Sequence, residues 1–493
     1  MAVALAVLSA RAQQRIPCDR SAATAEGRAM TRATRAISAL TGQHRVPIIL
    51  ATFSDQGFQL SDEETHARWE AMLNQHGYAE NGANGCLSDY FKAQSQGLLE
   101  LTFDVLGPVV LPQPVAYYGK NRNGTEGDDT NPQAMIRDAC VATGQDFSPY
   151  DWNGDGFIDA VVVVFAGQGE NRGGGADAIW PHKYTATSYK VGDLTLNDYA
   201  CASDERDGKH LDGYGTVCHE FSHCLGLPDL YPVSGSEYSI FDEWDLMDGG
   251  NYANHGYGIP NYSAFERQLC GWLKPTTLTG PTTISDLPPM DEEAGAYVIF
   301  NDGHPQEYFI LENRQQRGWD SYVPGNGLIV THVCDYTIGN LSPNTSSQTR
   351  VALLSADNRT YRQSEAFFGD SKYTADGHNR YLSLAAYPYG TEGNVISNSS
   401  TPAFTLKKEN TDATLYLSKP VSNIQMDSEG HISFDFMMMP DPIPTAISDA
   451  RAIPAPAIEG YYDLRGRRLP SRPQAPGIYI IRYADGKTKK TII

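Results

Sequence analysis

One short segment constrains the fold more than any other: His219-Glu220-x-x-His223-x-x-Gly226-x-x-Asp229. Residues four apart lie on one face of an α-helix, so the two imidazoles can point at a single metal ion. Gly226 can adopt a positive φ and end the helix, which lets the chain turn back and bring Asp229 within reach as a third donor. Three protein ligands leave one position of a tetrahedral zinc ion open, which is typical of catalytic zinc sites.

Glu220 follows the first histidine directly, so its carboxylate is expected beside the metal ion, where a general base is needed. Two histidines at this spacing also arise by chance on amphipathic helices, as surface or core residues. The same helix has an apolar side, formed by Val217, Phe221, Leu225 and Leu227. This flank and the well-placed glycine favour a zinc site with His219, His223 and Asp229 as ligands.

A competing third ligand is Glu243, which lies near the position where enzymes similar to thermolysin place a glutamate on a second helix. Those enzymes use a long continuous helix, which Gly226 and Pro228 would break here. Their Glu-x-x-x-Asp pattern is also missing, because residue 247 is methionine. The sequence therefore favours Asp229 over Glu243.

Met247 precedes Asp248-Gly249-Gly250, a composition that predicts a tight turn. In the metzincin clan such a turn places a thioether beneath the metal site. A methionine is more often simple core filler. The order of helix, glycine turn, carboxylate and methionine favours the functional interpretation of Met247.

A second metal-ligand pattern spans residues 151–159, where Asp151, Asn153, Asp155 and Asp159 stand at positions 1, 3, 5 and 9. Oxygen ligands at this spacing match a calcium loop. The acid expected at position 12 is replaced by Val162, so the pattern is incomplete. The alternative is an Asn-Gly/Asp-Gly turn that precedes a strand.

The composition limits the partners. The 59 acidic against 38 basic residues give a formal charge of −21, which disfavours nucleic acid and anionic membranes. Residues 1–12 are typical of the remnant of a secretory signal peptide, cut before Gln13, and 13–44 of a pro-segment or linker. No segment has the ~20 apolar residues of a membrane span.

The alternation of strands and helices predicts an α/β (α+β) catalytic domain at 45–275. The apolar strands are expected at 46–51, 98–106 and 158–165, and the helices at 63–75, 86–95 and 132–143. Short strands separated by turn residues predict a β-sandwich accessory domain at 276–439. A Pro-rich linker at 440–458 precedes a small all-β module at 459–493.

The residues around the zinc motif resemble the immune inhibitor A group of secreted metalloproteases. The resemblance rests on 219–229, on 244–247, and on Leu-Cys-Gly-Trp-Leu at 269–273, with weaker echoes at 88–91, 307–314 and 324–328. It implies a metzincin-like fold, zinc bound by His219, His223 and Asp229, and a catalytic Glu220. A tyrosine after the Met247 turn, Tyr252 or Tyr257, is a candidate for stabilising the oxyanion.

The C-terminal module resembles the sorting domain of type IX secretion in Bacteroidetes, through Tyr-Asp-Leu-Arg-Gly-Arg-Arg at 462–468, Gly-Ile-Tyr at 477–479 and a basic end. This implies export across the outer membrane by that secretion machinery, followed by release or surface attachment.

Together these patterns predict a secreted or cell-surface, monomeric zinc endopeptidase that acts on proteins or peptides through a zinc-activated water, with Glu220 as general base. The alternative is an adhesin or other protein-binding chain that carries an inactive protease-like domain. The presence of all four site residues favours the enzyme.

Overall fold

The computed structural model describes residues 40–233, 238–345, 347–359, 361–362, 382–390, 393–444, 458–462, 467–469, 478–483 and 488–492. The predicted signal remnant at 1–12, residues 13–39 of the predicted pro-segment and most of the predicted linker lie outside the described residues. The chain forms two compact units, within residues 1–441 and within 442–493.

A six-stranded sheet forms the first part of the larger unit. Its strands are β1 (Gly42–Thr52), β2 (Leu99–Val110), β3 (Phe157–Gln168), β4 (His182–Thr185), β5 (Lys190–Val191) and β6 (Leu194–Glu205). β1 pairs in parallel with β2 and β3, and β3 pairs in parallel with β6, whereas β4 and β5 are antiparallel to β6. Parallel pairs need crossover connections, and helices supply several of them.

The helices of this unit are α1 (Asp62–Asn74), α2 (Leu87–Gln94), α3 (Val115–Gly119), α4 (Pro132–Thr143), α5 (Gly215–Cys224) and α6 (Ala264–Leu269). Their bounds follow local sequence signals. α1 begins with a capping box between Ser61 and Glu64, and α4 begins with a proline and ends at Gly144 in the left-handed conformation. The predicted helix 132–143 thus has the bounds of α4.

Several 3-10 turns join these elements: Glu80–Gly82, Arg122–Gly124, Ser148–Tyr150, Glu170–Arg172, Asp242–Trp244, Gly250–Gly256, Gly318–Asp320 and Ser383–Ala385.

Both faces of the central sheet are covered. Along β1, Val46, Ile48 and Leu50 belong to one apolar cluster, and Ile49 and Ala51 belong to another. Side chains alternate between the faces of a strand, so burial on both faces explains the unbroken apolar run in this segment.

Two further sheets follow residue 275. Their strands are β8 (Thr276–Thr277), β9 (Thr282–Leu287), β10 (Ala296–Phe300), β11 (Glu307–Arg314), β12 (Gly327–Cys334), β13 (Val351–Leu353), β15 (Val421–Met426) and β16 (Ile432–Phe436), and a separate pair joins β7 (Tyr238–Ser239) to β14 (Tyr361–Arg362). The strand orders are β13-β12-β11-β10-β8 and β15-β16-β9. Phe309 and Val330 of the first sheet share an apolar cluster with Val421 and Phe434 of the second.

The core of the larger unit continues across residue 275. Ile310 of β11 and Val333 of β12 belong to the same apolar cluster as Phe221 of α5. The strands that follow residue 275 therefore share an apolar core with the helices that precede it.

The smaller unit contains β17 (Ile458–Tyr462), β18 (Arg468–Leu469), β19 (Ile478–Tyr483) and β20 (Thr488–Ile492). They form one antiparallel sheet in the order β18-β17-β19-β20. Residues 463–466, 470–477 and 484–487, which include much of the predicted sorting motif, lie outside the described residues.

The described residues include seven cysteines, which carry no disulfide among them: Cys86, Cys140, Cys201, Cys218, Cys224, Cys270 and Cys334. Across the same residues, no helix combines the length and the apolar character that a bilayer span requires.

Candidate metal centre

Helix α5 carries the histidine motif through the interior of the larger unit. Every residue from Gly215 to His223 is buried. Phe221 packs edge-on against Phe91 at 5.4 Å and against Phe103 at 6.0 Å, measured between ring centroids. These aromatic contacts fix the rotation of the helix about its own axis, because they hold Phe221 against Phe91 and Phe103. The two histidines consequently lie on the opposite face of the helix.

The helix ends in a Schellman motif centred on Gly226, whose φ is +96°. The Gly226 N–H donates to the His223 carbonyl at 3.0 Å, and the Leu227 N–H donates to the Ser222 carbonyl at 3.2 Å. A side chain at residue 226 would strain this left-handed conformation. The turn reverses the chain and brings Asp229 back to the helix.

The three predicted ligands converge at one point. The Oδ1 atom of Asp229 lies 3.1 Å from Nε2 of His223 and 3.4 Å from Nε2 of His219. All three side chains are buried. Tetrahedral zinc with bonds of about 2.0–2.1 Å to nitrogen and oxygen would hold its ligand atoms about 3.3 Å apart. The separations in the structure match this value.

The hydrogen bonds of the imidazoles define their tautomers. Nδ1 of His219 lies 2.8 Å from the Leu246 carbonyl, and Nδ1 of His223 lies 2.7 Å from the Leu227 carbonyl. A carbonyl oxygen only accepts, so both Nδ1 atoms carry the proton, and in the neutral rings both Nε2 lone pairs face Asp229. Three acceptor atoms that face one another at these distances fit a divalent cation.

Asp229 is held from two sides. Its N–H donates to the Leu341 carbonyl at 3.1 Å, and the Asn344 side chain donates to the carbonyl of Leu230 at 2.8 Å. Burial acts to raise the pKa of the Asp229 carboxyl, but positive charge on the imidazoles, first of all on His223, would hold that pKa well below its ordinary value. A divalent cation bound between neutral imidazoles would favour the ionised carboxylate in the same way, and a metal ligand must be ionised.

Met247 lies on the segment that supports His219. It is fully buried, and its carbonyl accepts the Leu230 N–H at 2.8 Å, while the preceding Leu246 carbonyl orients His219. The turn predicted from Met-x-Gly-Gly thus bonds both to a helix ligand and to the segment after Asp229.

Glu220 and Glu243, the other two acidic residues considered for this site, lie in different surroundings. Glu220 is buried on α5, one residue from the first imidazole ligand. Glu243 is half-buried in a 3-10 turn and does not belong to the group of three donors that includes Asp229. The geometry therefore favours Asp229 as the third ligand.

The two candidate tyrosines have different surroundings. Tyr257 is 7% exposed, and its hydroxyl lies 3.2 Å from a guanidinium nitrogen of Arg68. Tyr252 is 41% exposed; its ring lies under the Arg172 guanidinium at 4.3 Å, and its hydroxyl accepts a hydrogen bond from the Asn171 side chain at 3.3 Å. Tyr252 is thus the more accessible of the two to a bound substrate.

In the loop 151–159, side-chain carboxylates accept hydrogen bonds from N–H groups of the same loop. Asp151 accepts N–H groups of Asp155 and Gly156, and Asp159 accepts the Trp152 N–H at 2.7 Å. Burial, and then the charges of Asp155 and Asp151, raise the pKa of the Asp159 carboxyl. The loop concentrates negative charge, but its three carboxylates do not converge within 4.8 Å as the donor atoms of His219, His223 and Asp229 do.

One other group in the described residues brings three donor side chains together: His76, Cys86 and Asp89. There Cys86 caps helix α2, and Asp89 completes the capping box while it also bonds to His76 at 2.6 Å. These contacts account for the group as a helix cap and a surface ion pair.

Comparison with known proteins agrees with this geometry. Residues 54–277 match the family described as immune inhibitor A peptidase M6, catalytic domain. This range is therefore similar to a peptidase M6 catalytic domain. The matched range includes α5, the Met247 turn and the loop 151–159.

Two kinds of curated relative are similar to this chain. The pre-pro-metalloprotease PrtV of Vibrio cholerae serotype O1 is 29% identical over 217 residues, which is 37% of this chain and 23% of the relative. Immune inhibitor A of Bacillus thuringiensis subsp. alesti is 29% identical over 238 residues, 40% of this chain and 34% of the relative. The chain thus matches about a quarter to a third of the length of these proteins.

Sequence reasoning missed the groups that hold the donors in place. These are the carbonyls of Leu227, Leu246 and Leu341 and the amide of Asn344. Three of the four are backbone atoms, which leave no mark in the sequence, and Asn344 has no motif around it.

Proposed function

We propose that this chain is a secreted zinc-dependent endopeptidase that hydrolyses peptide bonds in proteins. The observation that carries the proposal is the buried convergence of His219, His223 and Asp229 beside Glu220, within a region that matches the M6 catalytic domain. The donor set of two imidazoles and one carboxylate fits a catalytic zinc ion, which supplies Lewis acidity and lowers the pKa of a bound water to about 7.

Glu220 performs the proton transfers in this proposal. Its carboxylate takes a proton from the attacking water and then delivers that proton to the leaving amine. The two Nδ1 hydrogen bonds keep His219 and His223 in the tautomer that directs Nε2 towards the metal position. Tyr252, the more exposed of the two tyrosines, is proposed to donate a hydrogen bond to the oxyanion.

The test is digestion of casein by the purified protein. Wild type should cleave it, a zinc chelator should block cleavage, and added zinc should restore it. Glu220→Gln should lower the rate by about 10²–10⁴ because the general base is lost. Its zinc content should stay at the wild-type level, since Glu220 is not a ligand.

Glu63→Gln is the matched control, because it makes the same chemical change on the exposed first turn of α1 and should leave cleavage unchanged. A wild-type protein that is inactive with full zinc occupancy would contradict the proposal. It would favour the alternative, a protein-binding chain with an inactive protease domain.

The proposal that the protein is exported rests on other residues. Passage across the outer membrane is supported by the N-terminal pattern at 1–12 and by the resemblance of 459–493 to a sorting domain. The four-stranded sheet of the smaller unit is compatible with such a module. Removal of 459–493 should leave the protein inside cells that possess type IX machinery. Equal secretion with and without these residues would contradict this part of the proposal.

Calcium is proposed for the loop 151–159, with Asp151, Asn153, Asp155 and Asp159 as oxygen donors. The mutual repulsion of three carboxylates supports a cation there. The loop precedes β3, so a bound calcium ion would brace the central sheet.

A further inference from the structure

The guanidinium group of Arg172 lies between an aromatic ring and a buried carboxylate. Its central carbon is 4.3 Å from the centroid of the Tyr252 ring, and one of its terminal nitrogens is 2.9 Å from Oδ2 of Asp212. The Arg172 side chain is 21% exposed and that of Asp212 only 4%. Water and salt screen such contacts only in part, so the carboxylate fixes the guanidinium group over the ring.

Asp212 is itself fixed to the backbone. Its N–H donates to the Asp204 carbonyl at 2.9 Å, and its Oδ1 accepts the Gly213 N–H at 3.2 Å. Burial raises the pKa of the Asp212 carboxyl, and the charge of Arg172 opposes that rise. Helix α5 begins at Gly215, so Arg172 is anchored just before the helix that carries the two histidines.

The turn that carries Arg172 is tied to its neighbours. The Glu170 side chain accepts the Gly127 N–H at 2.9 Å, and the Glu170 N–H donates to the Ile179 carbonyl at 2.9 Å. The Gly173 N–H donates back to the Glu170 carbonyl at 2.9 Å and closes the turn. The arginine side chain therefore extends from a fixed backbone.

Tyr252 has two contacts with this turn. Besides the guanidinium group over its ring, its hydroxyl accepts a hydrogen bond from the Asn171 side chain at 3.3 Å. Tyr252 is 41% exposed, and an exposed side chain without such contacts exchanges between several rotamers. The two contacts therefore select one orientation of the ring.

The segment 250–256, which contains Tyr252, packs on the beginning of α5. The Asn251 carbonyl oxygen lies so close to Gly215 that a side chain at residue 215 would collide with it. The Gly213 N–H also donates to the His255 carbonyl at 2.9 Å. Both contacts are about one helical turn before His219, so the orientation of Tyr252 is set close to a proposed metal ligand.

We propose that Arg172 is a positioning residue for Tyr252: its guanidinium group, anchored on Asp212, holds the ring in the orientation in which the hydroxyl meets the oxyanion. The inference rests on the proposed function, in which Tyr252 donates that hydrogen bond, and it identifies the group that holds the donor. A donor held in advance needs no reorganisation during the reaction, so loss of Arg172 should lower kcat and leave KM nearly unchanged.

A double-mutant cycle tests this role in the zinc-loaded enzyme. Arg172→Met keeps an apolar stem and removes both the charge and the planar group. With Tyr252 present it should lower kcat by about 10-fold, less than the ~100-fold expected for loss of the hydroxyl itself. In the Tyr252→Phe background it should have little further effect, because the hydroxyl that it positions is already absent.

A structural role through Asp212 predicts a different result. Arg172→Met would then leave a buried carboxylate without its cation, and kcat would fall by the same factor whether residue 252 is tyrosine or phenylalanine. Equal falls would overturn the inference and leave the proposed function intact. Unchanged kcat in Tyr252→Phe would refute the role of Tyr252 in the proposed function, and the role of Arg172 with it.

The thermal midpoint of the metal-free protein tests the contact without any catalysis. Tyr252→Leu removes the ring under the guanidinium group, so Arg172→Met should lower the midpoint less in that background than in the wild type. Equal shifts in the two backgrounds would overturn the inference. A wild type that is inactive with full zinc occupancy would instead refute the proposed function, and this cycle would still decide whether Arg172 holds the ring.

Arg137→Met is the matched control. Arg137 of α4 lies over the Tyr189 ring at 5.1 Å, and its Nε donates to Asp138 at 2.8 Å, so the change removes the same two kinds of contact from another part of the chain. It should leave kcat unchanged in both backgrounds.

If circular dichroism shows that Arg172→Met does not fold, Arg172→Lys replaces it. Lysine keeps the positive charge beside Asp212 but lacks the planar group that stacks on the ring. A fall in kcat that disappears in the Tyr252→Phe background supports the inference. An equal effect in both backgrounds refutes it.

Discussion

The metal centre and the loop 151–159 both gather ligand-type side chains, but they do so in opposite ways. At the centre, two imidazole nitrogens and the Asp229 oxygen are buried and face one another at 3.1 and 3.4 Å. In the loop, carboxylates such as those of Asp151 and Asp159 already accept backbone N–H groups near the surface. A buried set of acceptors needs a cation to be stable, whereas the loop can hold its shape without one.

The largest expected effect separates the two candidate third ligands. Asp229→Ala removes one of the three proposed zinc ligands, so zinc affinity should fall by more than about 100-fold. Loss of a residue that only hydrogen-bonds to a ligand usually costs less than this. Glu243→Ala should leave zinc content unchanged. Metal analysis of the two purified variants checks this, and zinc retained in the first but lost in the second would reverse the assignment.

Removal of the metals is the next test. With free zinc at 1,000 times its dissociation constant, binding contributes about 4 kcal/mol to the free energy of unfolding. A zinc-selective chelator should therefore lower the thermal midpoint strongly, and removal of calcium alone should lower it less. Calorimetry with each metal restored separately distinguishes the effect of zinc from that of calcium. An equal fall in the thermal midpoint for both metals would contradict the contrast between the metal centre and the loop.

Tyr257 is buried and Tyr252 is exposed, so the same contrast predicts different effects of removing their hydroxyl groups. Tyr252→Phe should lower kcat by about 100-fold with little change in KM or stability, as for the loss of an oxyanion donor. Tyr257→Phe should mainly lower the thermal midpoint, because its hydroxyl bonds to Arg68. The opposite pattern in kinetics and melting would exchange their roles.

The smallest effect is expected in the loop. The raised pKa of Asp159 means that the folded protein holds a proton there more tightly than the unfolded chain does. Without calcium, the contribution of this group to stability is therefore greatest at low pH and falls as the pH rises above the ordinary value of 3.8.

Asp159→Asn should abolish that pH dependence, and it should remove most of the stabilisation by added calcium, about 1 kcal/mol or more. Melting curves of the wild type and variant, at pH 4 and pH 7 with and without calcium, measure both effects. Identical curves for the two proteins would favour a simple turn in place of a calcium loop.

The sequence predicted much of the catalytic region because its signals are local. The strands predicted at 46–51 and 158–165 lie within β1 and β3, and the proline and glycine at the ends of α4 mark its bounds. The histidine spacing and Gly226 predicted the arrangement of the donors for the same reason. Each of these signals acts within one or two turns of chain.

What the sequence did not predict depends on contacts between distant segments. Strand β6 was missed because polar residues such as Asn197 and Asp198 interrupt its apolar pattern. The Leu246 carbonyl has no signal of its own, since its contact with His219 depends on where the methionine turn packs. The continuity of the core across residue 275 is likewise a property of packing.

The hydrogen bond from Asp229 to Leu341 has a consequence for the order of events during synthesis. The ribosome adds the histidines more than a hundred residues before the segment that steadies the aspartate. We expect a nascent or truncated chain that ends before residue 341 to be catalytically silent, because its third donor would have no anchor. Such a delay would spare the producing cell from its own hydrolase until translation of the strand-rich half is well advanced.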